Sequence, residues 1–274
     1  MKIYIAKIIG AYINIISYLS IKLSSAIALE LFSKPFKGRF KSKNFFLESS
    51  KKKFLYHNGL KIATYHWSGP KETILLAHGW QSNSGRWKNL ILRLAKLGYN
   101  IVSLDGPGHG YSGNKSFNAI LYSKFIGVVC GQYNPSILIG HSVGGMAISY
   151  FLYKSQYKKI DKFIFLGSPS GFTNILNNYI ILMQYNNRVR KGLELRIQDR
   201  FKLPSSYFNT ANFIKKIDCR GLIIHDKVDP IIPYSDALEI FSAHEKSQLY
   251  TTEGLGHGLK SNKVTEKIIE FIQD

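Results

Sequence analysis

The chain has 274 residues, of which 45% are hydrophobic, and a formal net charge of +20. That length suits one large domain or a core with an insertion, and that apolar share excludes a polytopic membrane protein. The two cysteines, Cys130 and Cys219, exclude a disulfide framework and zinc-ligand spacing, and read as buried thiols in a reducing, cytoplasmic setting.

The basic residues are mostly scattered lysines. The one dense run is Lys51-Lys52-Lys53, preceded by Lys34, Lys37, Arg39, Lys41 and Lys43. There is no zinc finger and no basic stripe interleaved with stacking aromatics, so nucleic acid is not an expected partner. The charge reads as solvated surface, with attraction to an anionic membrane as its rival.

Residues Ile3 to Phe32 are apolar but interrupted. Ile8 to Ile21 carries no charge, yet it contains Gly10, Asn14, Ser17 and Ser20 and is bracketed by Lys7 and Lys22. Three readings stand. The segment is an amphipathic helix lying on a membrane or covering the core, a tilted membrane anchor, or a signal peptide. In the last case Lys2 and Lys7 form the charged region, and Ala26-Ile27-Ala28 lies near a cleavage site. The basic run after Phe32 is expected to be a linker, because Pro35 and Gly38 stop any helix there.

From Lys53 onward, strand-like and helix-like segments alternate. Phe54-Leu55-Tyr56 and Ile62-Ala63-Thr64-Tyr65 flank Asn58-Gly59, a hairpin signal. Thr73 to Ala77 is a buried-strand run. Trp87, Leu90, Ile91, Leu94 and Leu97 recur at helical spacing until Gly98. Then follow a strand at Asn100 to Leu104, a helix at Ser116 to Tyr133, a strand at Ser136 to Gly140, a helix at Gly144 to Tyr153 and a strand at Phe163 to Leu166. Later come a strand at Leu222 to Ile224, a helix near Ser235 to Ala243, a strand at Gln248 to Thr251 and a last helix from Ser261. Such alternation predicts an α/β fold, a mostly parallel central sheet with helices on both faces. Only Pro169 to Lys216 breaks the rhythm, as a helical cap insertion. The predicted organisation is 1–50 (apolar helical segment and basic linker), 51–168 (core), 169–217 (cap) and 218–274 (core).

The sharpest chemical signal is Gly140-His141-Ser142-Val143-Gly144, followed by Gly145, between the apolar strand Ile137-Leu138-Ile139 and a helix. A sharp strand-to-helix turn that presents a serine needs small flanking residues. A serine hydroxyl needs a base to remove its proton, and in this arrangement the chain order is serine, acid, histidine. His257, in Gly254-Leu255-Gly256-His257-Gly258, is the candidate base. For the acid, Asp229 is preferred, with Asp226, nearer the strand end, as its rival. Asp105 precedes the serine in a Gly-Pro-Gly turn and reads as structural. An oxyanion would need two N–H donors, expected from the backbone of Val143 and of Trp80 in His78-Gly79-Trp80.

With these pieces in order, the sequence resembles the α/β-hydrolase superfamily. The matching motifs are His78-Gly79-Trp80, Asp105-Gly106-Pro107-Gly108-His109-Gly110-Tyr111-Ser112, Gly140-His141-Ser142-Val143-Gly144, Asp229-Pro230-Ile231-Ile232-Pro233 and Gly256-His257. The resemblance runs from about residue 55 to the C-terminus. It implies a serine hydrolase acting on a small-molecule carboxylic ester or thioester through an acyl-serine intermediate, with no metal and no organic cofactor. It also implies that acyltransferase, perhydrolase or peptidase chemistry could use the same residues, and that a non-catalytic binding protein could keep the fold. Serine at the elbow departs from the aspartate of dehalogenase and epoxide hydrolase relatives. Asp226 departs from the glycine many members carry there.

Overall fold

A computed structural model describes residues 3–155 and 157–274; Lys2, one of the two charges of the signal-peptide reading, lies outside them. The strands are β1 (Lys51–His57), β2 (Leu60–Trp67), β3 (Thr73–Ala77), β4 (Asn100–Leu104), β5 (Ile137–His141), β6 (Lys162–Leu166), β7 (Arg220–Asp226) and β8 (Ser247–Thr252). The helices, in chain order, are α1 (Ile3–Leu19), α2 (Ile21–Ser33), α3 (Phe45–Glu48), α4 (Lys88–Lys96), α5 (Ala119–Tyr133) and α6 (Val143–Ser155). They continue with α7 (Phe172–Met183), α8 (Asn187–Phe201), α9 (Thr210–Ile214), α10 (Tyr234–Ser242) and α11 (Asn262–Gln273).

The chain divides into two compact units, one holding the described residues up to Lys34 with Gly171–Asn209, the other Pro35–Ser170 with Thr210–Asp274. In the larger unit one sheet runs in the order β1-β2-β4-β3-β5-β6-β7-β8. The β1–β2 and β2–β4 pairs are antiparallel and the others parallel. The hairpin forms where Asn58-Gly59 predicts it, with φ of +47° and +76° at those residues, as a two-residue turn between twisted strands requires.

Alternate residues along the strands fill two cores. Leu75, Val102, Leu138, Phe163 and Ile223 pack with α5, α6, α9 and α10 on one face. Ile74, Ile101, Ile139, Ile164 and Leu222 pack with α4 and α11 on the other. A sheet buried on both sides explains why these strands read as unbroken apolar runs. Parallel register places Ala77 beside Gly140, His141 beside Leu166 and Leu166 beside Ile224. The carboxyl ends of the central strands therefore finish at one edge, where open α/β sheets bind ligands.

Several boundaries move. Helix α5 starts at Ala119 rather than Ser116, because the Asn118 side chain accepts the Leu121 N–H at 2.7 Å and caps it there. The segment after α2 is held within the larger unit: Gly38 O accepts from Gly110 N at 2.9 Å, and Arg39 donates to Ser112 O and Asn114 O at 3.3 and 2.6 Å. The Thr210–Ile214 turn, read as part of the insertion, buries Ala211 and Ile214 in the sheet's core. In the smaller unit, Ala6, Ile13, Ala28, Leu176, Met183 and Leu193 join α1, α2, α7 and α8 around one apolar centre. Among the described residues, no helix is long and apolar enough to cross a membrane. Cys130 and Cys219 are free and buried.

The lysine run acquires a structural meaning. Lys51, Lys52 and Lys53 are exposed on β1, the sheet's edge strand, and Lys52 Nζ lies 3.7 Å from the centroid of the Tyr111 ring. Charged edge strands resist pairing with a second chain. Replacing these lysines by Thr, Val and Thr is expected to produce self-association by light scattering, with monomer stability changed by less than about 1 kcal/mol.

Candidate active site

β5 ends in a bend that only close backbone packing permits. Ser142 has φ +54°, in the left-handed region, a conformation costing about 1 kcal/mol or more for a residue with a Cβ. Its N–H donates to Leu166 O at 2.8 Å, and its carbonyl accepts from Gly145 N at 2.9 Å and Ser168 Oγ at 3.2 Å. A Cβ at Gly140 would lie 2.5 Å from Gly145 Cα, and one at Gly144 would lie 2.4 Å from Ala77 O. The motif's glycines are thus required by neighbours on the turn itself and on β3. Helix α6 begins immediately after, with Val143 as its first residue; the positive end of its dipole stands behind the serine.

The Asp229–His257 pair is formed. His257 Nδ1 lies 2.7 Å from Asp229 Oδ2, a charge-assisted distance. Asp229 Oδ1 accepts from the N–H groups of Ile231 and Ile232 at 2.8 and 3.1 Å, and its side chain is fully withdrawn from solvent. Burial pushes the Asp229 carboxyl up, but the His257 bond and the two N–H donors outweigh it and hold the group below the usual carboxylate range. His225 Nε2 sits 3.5 Å from the same oxygen, yet its closer contact is Ile232 O at 2.9 Å, to which it donates.

Asp226, the rival acid, is engaged elsewhere. It accepts from Thr252 Oγ1 at 2.7 Å and from the N–H groups of Leu255, Gly254 and Val228 at 2.8, 3.2 and 3.2 Å. Burial works to raise its pKa, and these donors hold it below the ordinary value. It ties the end of β7 to the loop that carries His257. Asp226→Ala would leave four donors without this acceptor and is expected to destabilise the fold by about 2–4 kcal/mol, read as a lowered urea midpoint.

Ser142 is joined to the Asp–His pair through its neighbours. His141 Nε2 bonds His257 O at 2.8 Å, and the two imidazole rings are 4.9 Å apart. Arg86 Nη2 donates to Gly258 O at 3.1 Å, across 172 residues of sequence. Gly167, with φ +57°, follows the Leu166 carbonyl that holds Ser142; a Cβ there would meet His257 Nδ1 at 3.4 Å and Asp229 Oδ2 at 3.6 Å. Among the described residues no hydrogen bond joins Ser142 Oγ to His257. Such contacts often tighten only around substrate.

The turn after β3 lies against the elbow: a Cβ at Gly79 would meet His141 Nδ1 at 2.7 Å and Ser142 Cβ at 2.9 Å. Trp80 follows, and its N–H and that of Val143 donate to no other protein group among the described residues. Two neutral histidines shape this turn. His78 Nδ1 donates to Gly79 O at 2.7 Å while its Nε2 accepts from Gly106 N at 2.8 Å. His109 Nδ1 donates to Pro107 O at 2.9 Å while its Nε2 accepts from Gln81 N at 3.0 Å. Burial lowers them to about 4 and about 3. Asp105 anchors the same region, accepting from Tyr65 OH, Ser84 N and Tyr111 N at 2.8, 2.9 and 3.0 Å. Among the described residues no group of three His, Cys, Asp or Glu side chains could hold a metal ion.

The folded values of His78 and His109 lie below the unfolded value of about 6.5, so the unfolded chain binds protons that the folded one refuses. Their contribution to stability is complete above that value and is lost as pH falls toward 4 and 3. Between pH 7 and 5 the unfolding free energy should fall by up to about 1.4 kcal/mol per pH unit per histidine. Urea titrations at each pH check this, and His109→Gln should flatten the slope.

A sheet of this topology, with a serine on the elbow after one strand and an Asp–His pair beyond later ones, defines an α/β hydrolase. Within that class the chain belongs to the family described as serine aminopeptidase, S33, whose pattern matches residues 68–227. Ser142 and the Trp80 turn fall inside the match, and Asp229 and His257 lie beyond it.

The chain is 30% identical over 111 residues to a monoacylglycerol lipase of Mycolicibacterium smegmatis, covering 36% of this chain and 39% of that protein. It is 28% identical over 125 residues to putative esterase/lipase 3 of Mycoplasma pneumoniae, covering 44% of this chain and 45% of that protein. The matches thus span less than half the length of these relatives. An esterase from Exiguobacterium antarcticum superposes with a TM-score of 0.64 at 21% identity, covering 79% of this chain and 97% of that one; this likeness concerns the fold.

Proposed function

We propose that this protein hydrolyses a small-molecule carboxylic ester, or a thioester, through an acyl-enzyme on Ser142. The observation that carries the reading is the Asp229–His257 pair, bonded at 2.7 Å with the Asp229 side chain withdrawn from solvent, beside the strained serine elbow. His257 takes the Ser142 proton as Oγ attacks the ester carbonyl, and the carbonyl electrons pass to oxygen. The backbone N–H groups of Val143 and Trp80 stabilise that oxyanion. Collapse of the intermediate expels the alcohol or thiol, which receives the proton from His257, and leaves an acyl-Ser142 ester. Water then attacks with His257 again as base, releasing the acid and restoring the serine hydroxyl. Asp229 keeps the imidazole in the required tautomer and stabilises its cation.

The lipase and esterase names of the matched relatives support an ester substrate. A second reading has the same residues cleaving an amide, and the aminopeptidase description of the family favours it. The two are separated by comparing p-nitrophenyl esters of increasing acyl length with aminoacyl p-nitroanilides. The ester reading expects turnover of the esters and none above background for the anilides; the reverse pattern overturns it.

Ser142→Ala is expected to lower kcat on the best ester by roughly 10³-fold or more and to abolish labelling by a fluorophosphonate probe. Ser142→Gly should do the same while raising stability by about 1 kcal/mol, since glycine removes the left-handed strain. Asp229→Asn should lower kcat by roughly 10³- to 10⁴-fold with a much smaller change in KM. Undiminished turnover in any of these variants overturns the assignment.

A further inference from the structure

Helix α1 is built inside out. Its face toward α7 and α8 is made mostly of small and polar residues, with Ile13 as its one fully buried large side chain: Ala6, Gly10 and Ser17 are buried, and a Cβ at Gly10 would lie 1.7 Å from Met183 O. Asn14 donates to Gln184 O at 2.8 Å and accepts from Asn186 N at 2.9 Å, and Ser17 Oγ accepts from Asn186 Nδ2 at 3.0 Å. The opposite face carries the large apolar side chains: Tyr4, Ile8, Tyr12, Ile15, Tyr18 and Leu19 are 80%, 70%, 64%, 65%, 69% and 88% exposed. A surface helix in water does the reverse. Small residues at the helix contact and large apolar ones outward is the arrangement that lipid favours.

We infer that this face of α1 docks on an anionic lipid surface, with the helix lying in the plane of the interface. Asn14 and Ser17 hold one side of α1 on Gln184 and Asn186, so only its outer face is offered and the helix rests in the boundary layer rather than crossing. The tyrosines along it suit that layer, where amphipathic rings settle. Charge selects the occupant. Lys7 is exposed at the edge of the face, and Lys22 is exposed just past its end. The Arg188 guanidinium lies 5.4 Å from the Tyr18 ring centroid and donates to Ser17 O at 3.0 Å. Arg196 donates to Lys22 O at 2.6 Å. A second copy of this chain, itself at +20, would bring these cations against their like; acidic headgroups would neutralise them.

The test is flotation of the purified full chain with vesicles of phosphatidylcholine alone or with about 30% phosphatidylglycerol, at low and high salt. The expected result is co-flotation with the phosphatidylglycerol vesicles, weakened by salt. The triple variant Ile8→Ser, Ile15→Ser, Leu19→Ser is expected to bind them at least about tenfold more weakly. Because all three side chains are exposed, its thermal midpoint should not fall. Lys22→Glu should weaken binding to the anionic vesicles only. Equal flotation of wild type and triple variant overturns the inference. So does failure of the wild type to float with either vesicle, including the case where it sediments as a dimer that the triple variant dissolves.

Discussion

Everything at the candidate site rests on how closely three backbones approach at the end of β5. Ala77 O occupies the space a side chain at Gly144 would need, and Gly79 lies against Ser142 Cβ. Leu166 O holds the Ser142 N–H. These contacts come from three adjacent strands, and together they keep a non-glycine residue at φ +54°. Strain of this kind persists only where its surroundings over-determine it. The same approach brings the Trp80 turn beside the N-terminus of α6, so one packing constraint locates the Ser142 hydroxyl and the backbone N–H groups of Trp80 and Val143.

The two carboxylates after β7 show how burial and hydrogen bonding divide labour. Both are held below the ordinary carboxylate range against burial, by different donors. Asp226 spends its acceptors on the loop between β8 and α11, and Asp229 directs one oxygen to His257 and the other to its own turn. Loop order and imidazole orientation are thereby handled by separate groups. Buried histidines add to this order. His78 and His109 act as neutral donor–acceptor bridges between backbone segments, and His141 holds the carbonyl of His257 itself. Imidazole suits this use because its two nitrogens can meet one carbonyl and one N–H at once while remaining uncharged.

The smaller unit follows a different logic from the sheet. Its helices share an apolar centre to which α1 contributes Ile13, but α1 otherwise meets them through small residues and side-chain amides, notably at Gly10 and between Asn14 and Asn186. That leaves most of the large side chains of α1 outside. The sheet-bearing unit instead buries its large apolar residues in two layers and guards its β1 edge with lysines.

The strands, most of the helices and the elbow motif were legible in the amino-acid sequence, because each is a local matter. Apolar runs, helical spacing, Asn58-Gly59 and glycines flanking Ser142 specify backbone conformation from within a few residues. Helix starts were less legible where a single cap decides them, as at Asn118. The sequence favoured Asp229 over Asp226 as partner of His257 but kept both, since the contact depends on which carboxylate a loop from β8 reaches. Nor did the sequence signal Arg86, whose contact with Gly258 spans 172 residues, or the orientation of α1. Its composition showed an apolar helix. Which side faces inward was decided by the close fit of Gly10 against Met183 and by the amides that bond Asn14, interactions that exist only once distant segments have come together.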